Sequence, residues 1–211
     1  MVRPTSAPRN AGFSLVEMLA VIVILGILIA FLVPRLAGSG EVVKERLTKS
    51  FLNGELAAAI TTYETEFGQP PPGRFLTEWG TEPNDTNVGA EARGLGLWRK
   101  ERGGRDRDTE PFCNTDADVV RKPIGQAAIL GNQLWELSDE WGNPIAYFDR
   151  HSYGQKQVYL TIDGTTGESV ENTVEAIKDA GGRYVNPRKY QLLSAGIDGR
   201  FGTEDDILNV R

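Results

Sequence analysis

The apolar positions of this chain fall into three regimes. From Phe13 to Val33 they run almost without break, and Glu17 is the one charge among them. A run with no polar face predicts a helix surrounded by apolar material on every side, not one resting on a single core. At 1.5 Å per residue it reaches about 32 Å, enough to cross a hydrocarbon layer of about 30 Å. From Glu41 to Phe67 the pattern becomes periodic: Val43, Leu47 and Phe51, then Leu56, Ile60, Tyr63 and Phe67, share one face with charges opposite. Pro34 and Gly38-Ser39-Gly40 weaken the helix between the two regimes, and Gln69-Pro70-Pro71-Pro72-Gly73 ends it. One long, interrupted helix from Phe13 to about Phe67 is therefore expected.

The third regime is strand-like. Pro144 to Phe148 follow a Trp141-Gly142-Asn143 turn, and Gln157 to Ile162 and Lys189 to Leu193 are further β-rich runs. Residues 170–179 are expected as a short helix closed by Gly181-Gly182. Three short strands predict an α+β architecture, with a small antiparallel sheet laid against the long helix. Residues 74–134 are rich in glycine and charge. Acids alternate with bases through GLGLWRKERGGRDRD, so that stretch reads as a solvated loop, and a short helix is expected near Ala127 to Leu134.

Composition narrows the function. A net charge of -6 over 211 residues argues against nucleic-acid binding, which calls for a basic face. The single cysteine, Cys113, excludes an intramolecular disulfide and reads as a packed or loop thiol. The single histidine, His151, removes most triad and zinc chemistries. Asp149 and Ser152 flank it, but neighbours on a strand point to different faces, so adjacency makes no triad.

Glu17 needs its own account, because a charge at the centre of a membrane helix costs roughly 2.5 to 3.5 kcal/mol. The leader before it, residues 1–12, carries Arg3 and Arg9 and no acid, which holds it on the cytoplasmic side. A cut between Gly12 and Phe13 would create an amino terminus one helical turn before Glu17. The carboxylate then has a cationic partner in a neighbouring subunit's Phe13 amine, and becomes an assembly device.

A second acidic feature lies near the C-terminus. SAGIDGRFGTEDDIL gathers Asp198, Glu204, Asp205 and Asp206 around Gly199 and Gly202. The spacing is not that of an EF-hand. Both a calcium site, using carboxylates and backbone carbonyls, and a plain acidic turn fit it.

Gly12-Phe13-Ser14-Leu15-Val16-Glu17 followed by an apolar run resembles the processing signal of type IV pilins and pseudopilins. Asp139-Glu140-Trp141-Gly142-Asn143-Pro144, Ser194 to Gly199 and Gly202 to Ile207 are similar to the C-terminal region of the major pseudopilins of type II secretion systems. The resemblance implies a pilin-like fold: a 1–12 leader, a 13–33 transmembrane and polymerisation helix, its 34–72 amphipathic continuation, a 73–138 loop-rich insert, and a 139–211 sheet region. It implies cleavage between Gly12 and Phe13 by a prepilin peptidase, N-methylation of Phe13, and registration of subunits through Glu17. It also implies Ca2+ bound by Asp198, the Ala195 carbonyl, Asp205 and Asp206. Glu91, in the insert, is expected to play no part in that site. The protein is then a non-enzymatic subunit of a homopolymer, anchored by one pass in the bacterial inner membrane with its C-terminal domain in the periplasm. Its partners are minor pseudopilins and the inner-membrane secretion platform, and no nucleic acid. A subunit of a type IV pilus or DNA-uptake system is the alternative.

Overall fold

The computed structural model describes residues 15–37, 39–80, 84–97, 112–120 and 132–209. The chain divides into two compact units after Val42.

The first unit holds helix α1, Leu15–Ala37. Its apolar side chains face outward all round, from Leu15 at 82% exposure to Ile29 at 57%. Among the described residues nothing in the unit covers them. Among the described residues no helix is long and apolar enough to cross a membrane, and the expected 13–33 span begins before them. The backbone of α1 continues through Pro34, the residue expected to weaken it. A proline removes one hydrogen bond, and the remaining turns carry the helix on.

The second unit is α+β. Helix α2, Ser39–Asn53, extends into it, and α3, Glu55–Phe67, follows after a break at Gly54. Leu52, Leu56 and Ile60 are buried against Leu137, Ile145, Tyr147, Tyr190, Leu192 and Ile207. The inward face of α2 differs from the expected one. Val43 and Leu47 are about half exposed, whereas Thr48 and Leu52 are buried. Thr48 is drawn inward because its hydroxyl accepts a hydrogen bond from the Glu140 amide at 3.2 Å.

The 73–138 segment is more structured than a loop-rich insert. Helix α4, Val88–Leu97, lies inside the core, and β1, Phe112–Cys113, pairs antiparallel with β2, Glu136–Leu137. Sequence reasoning read the Gly-Leu-Gly-Leu pattern as loop. In the fold, small residues let α4 approach the sheet: a Cβ on Gly89 would lie 2.5 Å from the Tyr147 carbonyl oxygen. The helix expected near 127–134 falls mostly outside the described residues.

The main sheet has the order β3-β6-β7, from Ala146–Asp149, Tyr190–Ser194 and Ile207–Leu208, all antiparallel. Strand β3 is buried on both sides. Tyr147 faces the helices, while Ala146 and Phe148 join a second cluster with Ala90, Tyr159 and Leu193. A hairpin of β4, Gln157–Ile162, and β5, Ser169–Val174, completes the unit. The helix expected at 170–179 is thus a strand in its first half. Val170, Asn172 and Val174 turn inward relative to their neighbours, and this two-residue alternation with β-branched residues pairs naturally with β4.

Candidate functional site

Glu17 sits in the first turn of α1 at an exposed position. Gly12 and Phe13 lie outside the described residues. The exposed apolar side chains of α1 begin at Leu15, two residues before Glu17.

The C-terminal acidic loop connects β6 to β7. Its turns rest on left-handed glycines, and at Gly199, with φ of +69°, a Cβ would lie 2.1 Å from the Ile162 carbonyl oxygen. No side chain fits there. Folding back brings Asp205 against Asp198: the Asp198 amide donates to Asp205 Oδ2 at 3.0 Å, and the Thr203 hydroxyl donates to Asp205 Oδ1 at 2.6 Å. Burial pulls the Asp205 carboxyl upward, yet the Thr203 and Asp198 bonds leave it below the ordinary range. Asp206 accepts the Gly202 amide on Oδ2 at 2.8 Å, while its Oδ1 is buried with no hydrogen-bond partner. Burial, and then the charges of Asp205 and Asp198, push Asp206 up to about 6. Ala195 is fully buried beside them in the chain. Arg200 does not neutralise the loop, because its guanidinium pairs with Asp163, Nη2 to Oδ2 at 2.8 Å. An orphaned carboxylate oxygen among acids and backbone carbonyls suits a hard cation. The three carboxylates do not converge as a tight trio, so carbonyls such as that of Ala195 would have to supply part of the shell.

Sequence reasoning missed a second acidic group. Among the described residues, Glu91, Asp116 and Glu136 place carboxylate oxygens within 4.8 Å of one another. Glu91 and Glu136 are fully buried. Asn87 builds the surroundings: its carbonyl accepts the Glu91 amide at 3.1 Å, and its side chain donates to Glu136 Oε1 and Thr115 Oγ1, both at 2.9 Å. Burial, followed by the charges of Asp118, Glu136 and Asp116, pushes Glu91 up to about 10. Burial and Asp116 push Glu136 up to about 8. Cys113, a free thiol paired with Glu136 in the β1–β2 register, is likewise raised, by burial and then by the Glu136 charge. These acids are far apart in sequence, so no local motif announces them.

The residues around His151 form a turn and not a triad. Asp149 Oδ1 accepts the amides of His151 and Ser152, and the Ser152 hydroxyl donates to the Asp149 carbonyl.

Residues 7–33 match the family model described as the prokaryotic N-terminal methylation motif. The chain is 28% identical over 163 residues to type II secretion system core protein G of Pseudomonas aeruginosa, a match covering 76% of this chain and 89% of that protein. No solved structure matches. The methylation motif at the head of an exposed apolar helix, and similarity over three quarters of the chain, liken this protein to type II secretion system core protein G.

Proposed function

We propose that the chain is a structural subunit of a type II secretion pseudopilus, polymerising through its N-terminal helix. The observation that carries this reading is α1, whose apolar side chains are exposed on all sides and begin at the methylation motif. Such a surface is stable only in lipid or against other copies of itself. In this reading a prepilin peptidase cuts between Gly12 and Phe13 and Phe13 is methylated. The helix holds the subunit in the inner membrane by a single pass, with the α+β unit in the periplasm. Minor pseudopilins and the inner-membrane secretion platform are its partners during assembly. Glu17 then receives the amino group of a neighbouring Phe13.

The acidic loop belongs to the same proposal. The Ala195 carbonyl, Asp198, Asp205 and Asp206 would hold Ca2+, which supplies the positive charge that the orphaned Asp206 oxygen lacks. The relative's role in secretion favours a pseudopilus over an adhesive or DNA-uptake pilus. Mass spectrometry of the protein recovered from membranes tests the reading at its root. A chain beginning at methylated Phe13 is expected, and recovery of only the full-length form would overturn it.

A further inference from the structure

The acid group at the base of α4 is unusual in what it lacks. Both oxygens of Glu91, Oδ1 of Asp116 and Oε2 of Glu136 are buried without a hydrogen-bond partner, and so is Oδ1 of neighbouring Asp118. Arg93, two residues along the helix, gives these oxygens no hydrogen bond: its Nη1 donates to the Ile145 carbonyl at 3.1 Å, its guanidinium lies over the Tyr147 ring, its Nε and Nη2 are unpaired, and of the trio its charge favours Glu136. Three ionised carboxylates in such a place, uncompensated, would each cost several kcal/mol.

Two occupants can relieve that cost. Protons neutralise the charge, and Asp118 could accept one from Glu91, but the remaining buried oxygens would still lack donors. Each buried polar atom left unpaired destabilises the fold. A cation removes the charge and satisfies the oxygens together. Opposed oxygens around calcium stand about 4.6 to 5.2 Å apart, given metal–oxygen distances of about 2.3 to 2.6 Å. The trio's oxygens all lie within 4.8 Å of one another, close enough to share one such ion. The donor set is oxygen alone, with no imidazole or thiolate in the group, which selects a hard ion over zinc or copper. Glu91 is decisive, because it is fully buried, within reach of the other two acids, and receives no hydrogen bond from an N–H or hydroxyl donor at either oxygen; its carboxyl neighbour Asp118 can share a proton with it only while one of the two is neutral.

We propose that Glu91, Asp116 and Glu136 form a divalent-cation site of calcium type inside the α+β unit, separate from the C-terminal loop. The site ties α4 to the β1–β2 pair and the loop after β1. It stands whether or not the loop binds an ion and whatever filament the protein enters.

The test is the calcium content of the full chain, purified in detergent, stripped with chelator and dialysed against 1 mM calcium. Wild type is expected to hold about one ion more per chain than Glu91→Gln. Asp116→Asn, at the half-exposed member of the trio, is expected to lose the same ion and decides the matter if Glu91→Gln does not fold. Calcium content equal in wild type and in the folded variants overturns the proposal. So does a wild-type chain whose calcium is removed entirely by Asp206→Ala, because protons alone would then occupy the buried acids.

Discussion

Asn143 and Ile162 are joined by two hydrogen bonds that imitate a strand pairing. The Asn143 side-chain amide donates to the Ile162 carbonyl at 3.2 Å, and the Ile162 amide donates to Asn143 Oδ1 at 2.6 Å. The turn before β3 is thereby fastened to the end of β4, beside the point where Gly199 closes on the same carbonyl.

Asn143→Asp keeps the acceptor and loses the donor, leaving a buried carboxylate facing the Ile162 carbonyl. A loss of about 1 to 3 kcal/mol is expected. Urea unfolding in detergent should show a lower midpoint with unchanged slope. A midpoint equal to wild type would mean the pair is replaced by solvent at no cost.

Asp139 sets a pH dependence. Its Oδ1 accepts the Trp141 and Asn143 amides at 3.0 and 2.9 Å, and its Oδ2 accepts the Ser194 hydroxyl at 2.6 Å. Burial outweighs these bonds and raises the carboxyl to about 6. The folded state therefore binds this proton more tightly than the unfolded state. The stabilisation is full below the unfolded value, about 3.9, and is lost as pH rises through about 6. The loss is on the order of 3 kcal/mol at about 1.4 kcal/mol per unit. Asp139→Asn keeps the shape without the titration, so its stability relative to wild type should improve between pH 4 and pH 7.5. A constant difference across that range would assign any loss of stability with rising pH to other groups.

Glu17→Ala removes a charge from the apolar helix. The subunit should still enter membranes, while assembly fails for want of a partner to the neighbour's terminal amine. A pair worth even about 1.4 kcal/mol changes each addition tenfold. Crosslinking in membranes should show monomers persisting, and a normal ladder of multimers would give Glu17 another role.

For the acidic loop, the full chain in detergent should melt at higher temperature with millimolar calcium than with chelator, and magnesium should substitute poorly. An ion bound at a hundred times its dissociation constant adds about 2.7 kcal/mol. Asp198→Ala and Asp206→Ala should each shrink the calcium effect, while Glu204→Ala, at an exposed position, should leave it intact. Glu91 does not serve as that inert control, since the fold buries it among acids. A calcium effect unchanged in Asp198→Ala and Asp206→Ala would reduce the loop to an acidic turn.

What could be read in advance was what is local. The Gly-Phe-x-x-x-Glu signal, the helix end at Phe67 and the strands at 146–149, 157–162 and 190–194 all depend on neighbouring residues. What escaped depends on distant ones. Helix α4 carries glycines that lower its intrinsic propensity by about 1 kcal/mol each, and only its contacts with β2 and β3 redeem them. Residues 169–174 hold an acid, Glu171, and no strong turn signal at their end, so their strand identity comes from the partner β4. The Glu91, Asp116 and Glu136 group exists only once α4, the loop after β1 and β2 are folded together.

The close seat of α4 on β3 limits what can be exchanged between relatives. Residues 84–97 occupy the place where a variable loop would be assumed, and a chimera builder would be tempted to graft a shorter loop there. That graft would uncover Ala146, Phe148 and Tyr159, which α4 covers through Ala90. It would also free the Leu160 amide that Asn87 now holds at 3.0 Å. Any transplant between subunits of this kind must carry α4 and the sheet as one piece.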